Sequence, residues 1–240
     1  MKILAVDSSA KIAAVAVCTE DKILAETTLD VGLTHSQTLM PVCAALLNNA
    51  HIDINEIDAF AAAAGPGSFT GLRIGISAVK GMALATGKPC YPVSTLEALA
   101  CNLIGLDGLV CAVMDARRSQ VYHALFALTD GGLTRLCDDC AISIEELAAE
   151  LAGYSDKIWL CGDGAPLCWS RLSDKLPNIQ LASPAFRYQK ASGVAAAALR
   201  SGSAVTARQL TPRYLRLPQA ERERKERLQQ AEEKGKDCCK

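Results

Sequence analysis

The chain has no apolar run of membrane-spanning length, no surplus of either charge sign, and few histidines. Its 25 Lys and Arg stand against 26 Asp and Glu over 240 residues, a formal net charge of −1. That balance argues against an electrostatically driven nucleic-acid binder and against an acidic tail protein. The longest apolar stretches fall short of the roughly 20 residues a membrane helix needs. The opening Met1-Lys2-Ile3-Leu4 meets the polar Asp7-Ser8-Ser9 at once, which leaves no room for a signal-peptide core, so the expectation is a cytoplasmic protein without a membrane segment. No two of the three histidines, His35, His51 and His123, stand four apart. There is one CxxC, Cys137-Asp138-Asp139-Cys140, and no second close pair follows at matching spacing. A structural zinc site needs about four ligands, and no helix clearly starts at the CxxC as a thioredoxin-like motif requires. The expectation is therefore no metal, with a reversible Cys137–Cys140 disulfide as the thiol-redox alternative.

Half of the residues are hydrophobic, an ordinary proportion for a globular chain, and the length allows one large domain or two small ones. Of the eleven cysteines, Cys18, Cys43, Cys90, Cys101, Cys111 and Cys161 lie in apolar stretches where Ala or Val would fit, so they read as small buried hydrophobes.

The organising stretch is GPGSFTGLRIG at 65–75. An apolar run leads in and a small-residue segment leads out, which reads as strand, glycine turn, helix. Gly65 and Gly67 can take positive φ, Pro66 fixes its own φ, and Ser68 or Thr70 is an N-cap. The turn matches neither Walker A nor GxGxxG. Backbone N–H groups at such a helix start suit an anion or a docked partner. The helix carries only Arg73 and Lys80 as charges, and Gly71, Gly75, Ala78 and Gly81 make a small-residue surface. An interior glycine costs a helix about 1 kcal/mol relative to alanine, so close approach by another element is expected, either the chain's own sheet or a second polypeptide.

Before this turn, strands are expected over 2–6, 13–18 and 23–29 in an antiparallel meander, then a helix over 35–49 with Leu39, Val42, Cys43 and Leu46 on one apolar face and Met40, Ala44 and Leu47 beside it. A helix apolar nearly all round is covered on more than one side. A strand over 57–64 leads into the turn. After the second helix come a short strand over 90–93 and a third helix, with Ser94 and Glu97 as a capping box. A boundary falls at 105–108. The second half echoes the first: an apolar strand ends in Asp115 as the first ends in Asp7, and two further strands follow over 121–128 and 133–137. Ser143 caps another helix, a strand over 157–161 runs into Gly162-Asp163-Gly164, an alanine-rich helix lies within 185–200, and 211–216 is extended. From Pro218 the chain is almost entirely charged.

This plan resembles the actin, sugar-kinase and Hsp70 ATPase superfamily, and specific strings resemble the TsaB (YeaZ) family. They are VDSS at 6–9, THSQTLMP at 34–41, the glycine turn, VSTLEALA at 93–100, MDARRSQVY at 114–122, CGDGA at 161–165 and PRYLR at 212–216. The resemblance implies an α/β fold of two lobes with a duplicated βββαβαβα plan, the second lobe reduced. The lobes would be residues 1–105, carrying the partner-binding helices, and 106–217, followed by a charged tail over 218–240, partly helical or disordered.

TsaB-like proteins belong to the bacterial machinery that makes threonylcarbamoyladenosine (t6A) on tRNA, and they look like a catalytically degenerate sister of the TsaD transferase. The HxxxH metal site of TsaD-like chains falls here on Thr95 and Leu99, which cannot hold a metal. The resemblance thus implies a noncatalytic subunit that binds and activates TsaD, joined by the ATPase TsaE, meeting tRNA through the complex, needing no cofactor of its own, with ATP or ADP at or near the TsaD interface. Through the same patch it would form a homodimer when alone. The implied contact residues are drawn from Leu39, Val42, Cys43, Leu46, Gly71, Arg73, Ile74, Ala78 and Met82. A degenerate nucleotide cleft would involve Asp7, Ser8, Asp115, Gly162 and Gly164, although each also reads as a plain turn or strand-end residue. Arg117 and Arg118 read as a solvated turn or as phosphate contacts. The competing reading is an ATP-dependent transferase or hydrolase using its own cleft between the lobes.

Overall fold

The computed structural model describes residues 1–129, 131–201 and 203–216. The charged segment expected to fray after Pro218 lies outside the described residues. Strands β1 (Ile3–Asp7), β2 (Ala13–Cys18) and β3 (Ile23–Leu29) form the expected antiparallel meander, with Asp7 opposite Ala14. Helix α1 (His35–Asn49) follows, and β4 (Ala59–Gly65) returns parallel to β1. Helix α2 (Phe69–Thr86) then leads to β5 (Cys90–Ser94), parallel to β4, and to α3 (Thr95–Cys101). The sheet order is β3-β2-β1-β4-β5.

The second half repeats this plan. β6 (Gly108–Arg117), β7 (Gln120–Thr129) and β8 (Gly132–Arg135) are an antiparallel meander. β9 (Cys140–Ser143) pairs with the other end of β7's length, and α4 (Ile144–Leu151) follows. β10 (Ile158–Cys161) runs parallel to β6, α5 (Ala165–Leu172) crosses, and β11 (Ile179–Leu181) runs parallel to β10. The order β8-β7-β6-β10-β11 matches the first sheet strand for strand. A one-turn helix α6 (Pro184–Arg187) and helix α7 (Ala191–Ser201) follow. The sequence pattern predicts no element over 165–184. A three-residue strand shows no alternation, and α5 begins without a side-chain cap.

The strands' two-residue period sorts side chains into layers. Ile3 and Ala5 of β1 face a central core shared with Leu96 and Leu99 of α3, Val194 and Ala198 of α7, and Val110 and Ala112 of β6. Leu4 and Val6 face the opposite way, onto Leu39 and Leu46 of α1 and Ile76 and Val79 of α2. On the far side of the second sheet, Cys111, Val113 and Leu125 are covered by Leu147 of α4 and Leu172 of α5. The layers are thus α1 and α2, sheet, α3 and α7, sheet, α4 and α5: the two-lobed actin and sugar-kinase arrangement. The six cysteines read as buried hydrophobes are buried. The capping box appears where only a cap was expected, and the expected one is half made. Ser143 and Glu146 form one reciprocally. Ser94 caps α3, but Glu97 turns away to Arg135, 3.1 Å distant.

Candidate functional site

The glycine turn between β4 and α2 answers its own question about what it holds. Ser68 is the N-cap, its hydroxyl accepting from the Gly71 N–H at 3.3 Å. The Ser68 N–H donates to the Ser9 carbonyl at 2.6 Å. A Cβ on Gly71 would collide with the Ser8 carbonyl, and one on Gly75 with the Ser8 hydroxyl. The Ser8 hydroxyl donates to the Gly71 carbonyl at 2.9 Å. The turn and the first half of α2 are therefore docked on the chain's own β1–β2 turn, and the N–H groups of Ser68 and Gly71 are committed within the protein. Those two N–H groups are therefore not available to a phosphate.

The residues named as contact candidates divide. Leu39, Cys43, Leu46 and Met82 are buried beneath α1 and α2, with the Cys43 thiol 3.8 Å from the Met82 sulfur where the helices meet. Gly71 is buried against Ser8. Val42, Ile74 and Ala78 are half-buried at the edge of the same cluster. Arg73 is exposed, yet its guanidinium donates to the Tyr214 hydroxyl at 2.9 Å. The free face is made by others. On α2 it runs Ser77, Gly81 and Leu84, all exposed; a Cβ on Gly81 would meet nothing within 4 Å. On α1 it comprises Met40, Ala44 and Ala45. Leu84 is 62% exposed and Met40 47%, and Val31 and Leu33, just before α1, are equally open. These large apolar side chains stand in water on α1, on α2 and just before α1.

The second feature is the cleft between the lobes, a cavity of about 600 Å³ whose walls include Ser9, Lys11, Asp115, Arg117, Asp163 and Gln189. Asp7 lies beneath it. Its Oδ1 accepts from the Ser9 N–H at 2.8 Å and the Ser9 hydroxyl at 2.6 Å, while Oδ2 has no partner. Burial pushes the Asp7 carboxyl up to about 6, against the Ser9 hydrogen bonds that favour its ionised form. Burial likewise pushes Asp163 up to about 6, and nearby Asp115 adds to it. Asp115 is tied at 2.7 Å to the Arg117 N–H. Three carboxyls thus converge, each at the end of an apolar strand or the turn just after it. Asp163 was not singled out from the sequence, although it repeats the strand-then-Asp pattern a third time. The other three cleft candidates serve the backbone. Ser8 is spent on Gly71. Gly162 gives space to the Val113 carbonyl, and a Cβ on Gly164 would come within 3.0 Å of the Asp115 nitrogen. Carboxylates suit Mg²⁺ better than a transition metal. The HxxxH site of TsaD-like chains does not fit here, because Leu99 has no donor atom and Thr95 is a poor ligand without neighbours.

The arrangement can be set beside known proteins. A TsaB from Bacillus subtilis, a tRNA threonylcarbamoyladenosine biosynthesis protein, is 31% identical over 221 residues, 92% of this chain and 96% of that one. The chain belongs to the TsaB family. The TsaD family, described as tRNA N6-adenosine threonylcarbamoyltransferase, matches residues 29–223. YeaZ from Pseudomonas aeruginosa superposes with a TM-score of 0.74 at 28% identity, covering 89% of this chain and 99% of that one. Component A of the (R)-2-hydroxyglutaryl-CoA dehydratase of Acidaminococcus fermentans shares the fold at 12% identity and a TM-score of 0.51, covering 83% and 96%. Among the described residues, no helix is long and apolar enough to cross a membrane.

Proposed function

We propose that this chain is a noncatalytic subunit of t6A biosynthesis that binds and activates a TsaD-type transferase through the outward face of α1 and α2. The observation that carries the reading is the stripe Ser77, Gly81 and Leu84 beside Met40, Ala44 and Ala45, which is small or apolar, uncharged and open to solvent. Small residues let a partner helix approach closely, and the exposed Leu84 and Met40 supply apolar area to bury. The TsaB and TsaD names among its relatives supply the pathway. TsaE and tRNA would join through the assembly, any ATP or ADP would sit at or near the TsaD junction, and a homodimer would cover the same face when TsaD is absent.

The test is co-purification of the chain with TsaD from the same organism, comparing the intact chain with Leu84→Arg. A heterodimer that is lost in a folded Leu84→Arg variant supports the reading. A heterodimer untouched by that charge places the interface elsewhere, and no heterodimer at all ends the proposal.

One observation favours a second reading, an ATP-dependent transferase or hydrolase: Asp7 Oδ2 and Asp163 Oδ1 are buried at the cleft without partners. Mg²⁺-dependent ATP turnover by the isolated chain, abolished in Asp163→Asn, would establish it.

A further inference from the structure

Strand β7 carries one buried polar side chain on its outer face. Val121, His123 and Leu125 alternate onto the side covered by α4, and Val121 and Leu125 are fully enclosed there. His123, between them, is only 1% exposed. Buried polar atoms are as a rule hydrogen-bonded. The His123 Nε2 lies 3.2 Å from Oε2 of Glu150 on α4, and Nδ1 has no partner. The loop between β8 and β9 brings a third group. The ligand atoms of His123, Cys137 and Glu150 all lie within 4.8 Å of one another. Cys140 stands directly opposite His123 in the β7–β9 register, so both side chains leave the sheet on the same face.

We propose that His123, Cys137, Cys140 and Glu150 form a structural zinc site in the second lobe. Thiolate, imidazole and carboxylate are all donors that zinc takes, and four of them complete a tetrahedral site. The metal distances of that geometry, about 2.0–2.3 Å, place ligand atoms roughly 3.5 Å apart. The 3.2 Å His123–Glu150 spacing already meets this; Cys137 has to approach from within 4.8 Å, and Cys140, which lies outside that group of three, has to turn toward it. On binding, Zn²⁺ displaces the two thiol protons to solvent, the imidazole binds neutral, and Glu150 binds as the carboxylate. The surroundings are built for it. The Cys137 sulfur accepts the Leu125 N–H at 3.1 Å, the kind of outer hydrogen bond that orients a metal thiolate. The loop between the cysteines is pinned from the other side, where Asp139 is held at 2.6 Å by both Arg135 and the Ser94 hydroxyl. The CxxC thus has its second ligand pair after all, supplied by a strand before it and a helix after it. The metal would staple β9 and α4 to β7, and through Asp139 and Ser94 the staple reaches the first lobe.

The test uses the full chain carrying Cys238→Ser and Cys239→Ser, which removes the adjacent thiols of the tail. The protein is reduced, stripped with a chelator and titrated with zinc against a chromogenic competitor, and with Co²⁺. Expected are one zinc per chain, a tetrahedral cobalt spectrum with a thiolate charge-transfer band, and affinity at least about 10-fold weaker in Cys137→Ser and in Glu150→Gln. Zinc should also shield Cys137 and Cys140 from alkylation without any ligand substitution, a readout that survives if Cys137→Ser does not fold. Substoichiometric zinc, an octahedral cobalt spectrum, binding that persists in folded Cys137→Ser, or unshielded cysteines would each overturn the assignment.

Discussion

The ring of Tyr214 lies flat on the ring of Phe69, with centroids 3.8 Å apart and planes 8° from parallel. Phe69 is the first residue of α2, and Tyr214 belongs to the closing segment, which otherwise has no helix or strand to hold it. The Arg73 guanidinium lies 5.2 Å from one ring and 5.8 Å from the other. The segment is stitched on both sides of the stack. The Arg213 N–H donates to the Ala64 carbonyl at 2.6 Å, and Arg216 donates to the Ala116 carbonyl at 2.8 Å. It therefore straps the start of α2 and reaches from the first lobe to the second.

Removing the stack should loosen that strap. Tyr214→Ala is expected to cost about 1.5 kcal/mol, the upper range for a stacked aromatic pair, and so to lower Tm by roughly 3–6 °C. Tyr214→Phe keeps the stack and loses only the bond from Arg73, about 0.5–1 kcal/mol for a solvent-accessible pair. Thermal unfolding of both variants checks the order. Equal losses would mean that the hydroxyl, and not the ring, holds the segment.

The glycines of α2 should respond in opposite directions. Gly81 faces open space, so Gly81→Ala gains helix propensity and stabilises by about 0.5–1 kcal/mol. Gly71→Ala drives a Cβ into the backbone carbonyl of Ser8, and overpacking of that kind costs about 1–3 kcal/mol or more. Urea midpoints separate the two, and a Gly71→Ala protein as stable as the parent would show that the β1–β2 turn yields.

Much of this was legible in the chain. The meander, both long helices and the duplicated order follow from two- and 3.6-residue periods, and the close approach announced by several glycines in one helix is real. Its object is Ser8, which period alone cannot say. Helix α1 is apolar on most sides, so the sequence could not tell Leu39 and Cys43, which face the core, from Met40 and Ala44, which face out. Asp163 was overshadowed by the glycines around it. The gathering of His123, Cys137 and Glu150, and the seating of Tyr214 on Phe69, depend on strand register and tertiary docking between distant segments, and no local pattern records either.

The division of the α1 and α2 residues sets which charges test the partner face. Leu46 stands among the contact candidates implied by the resemblance, but it is 4% exposed. Leu46→Arg would bury an unpaired charge and is expected to unfold the chain, so its loss of binding would mean nothing. Leu84→Arg and Ser77→Arg add charge to exposed positions and should change stability by no more than about 0.5 kcal/mol. Each is expected to abolish TsaD capture while circular dichroism and Tm stay as in the parent. Retained capture by both would exclude this face.

The buried carboxyl under the cleft predicts a pH dependence with a definite sign. Asp7 holds its proton up to about pH 6 in the folded protein, against 3.8 ordinarily, because burial disfavours the charge and nearby Asp163 adds to this, while Ser9 and His35 oppose it. Between those values the folded state binds more protons than the unfolded state, so stability falls as pH rises from about 4 to about 6 and then levels off. Two pKa units correspond to at most about 3 kcal/mol. Asp7→Asn cannot titrate, so its stability should lose the Asp7 share of that slope and keep the share of Asp163, which burial also pushes up to about 6, when urea unfolding is compared at pH 4.5 and 7. Asp163→Asn removes the Asp163 share and one of the influences raising Asp7, so the remaining fall should be smaller and move to lower pH. If Asp7→Asn leaves the pH profile unchanged, the Asp7 carboxyl is solvated in a way that its single Ser9 partner and its burial do not allow.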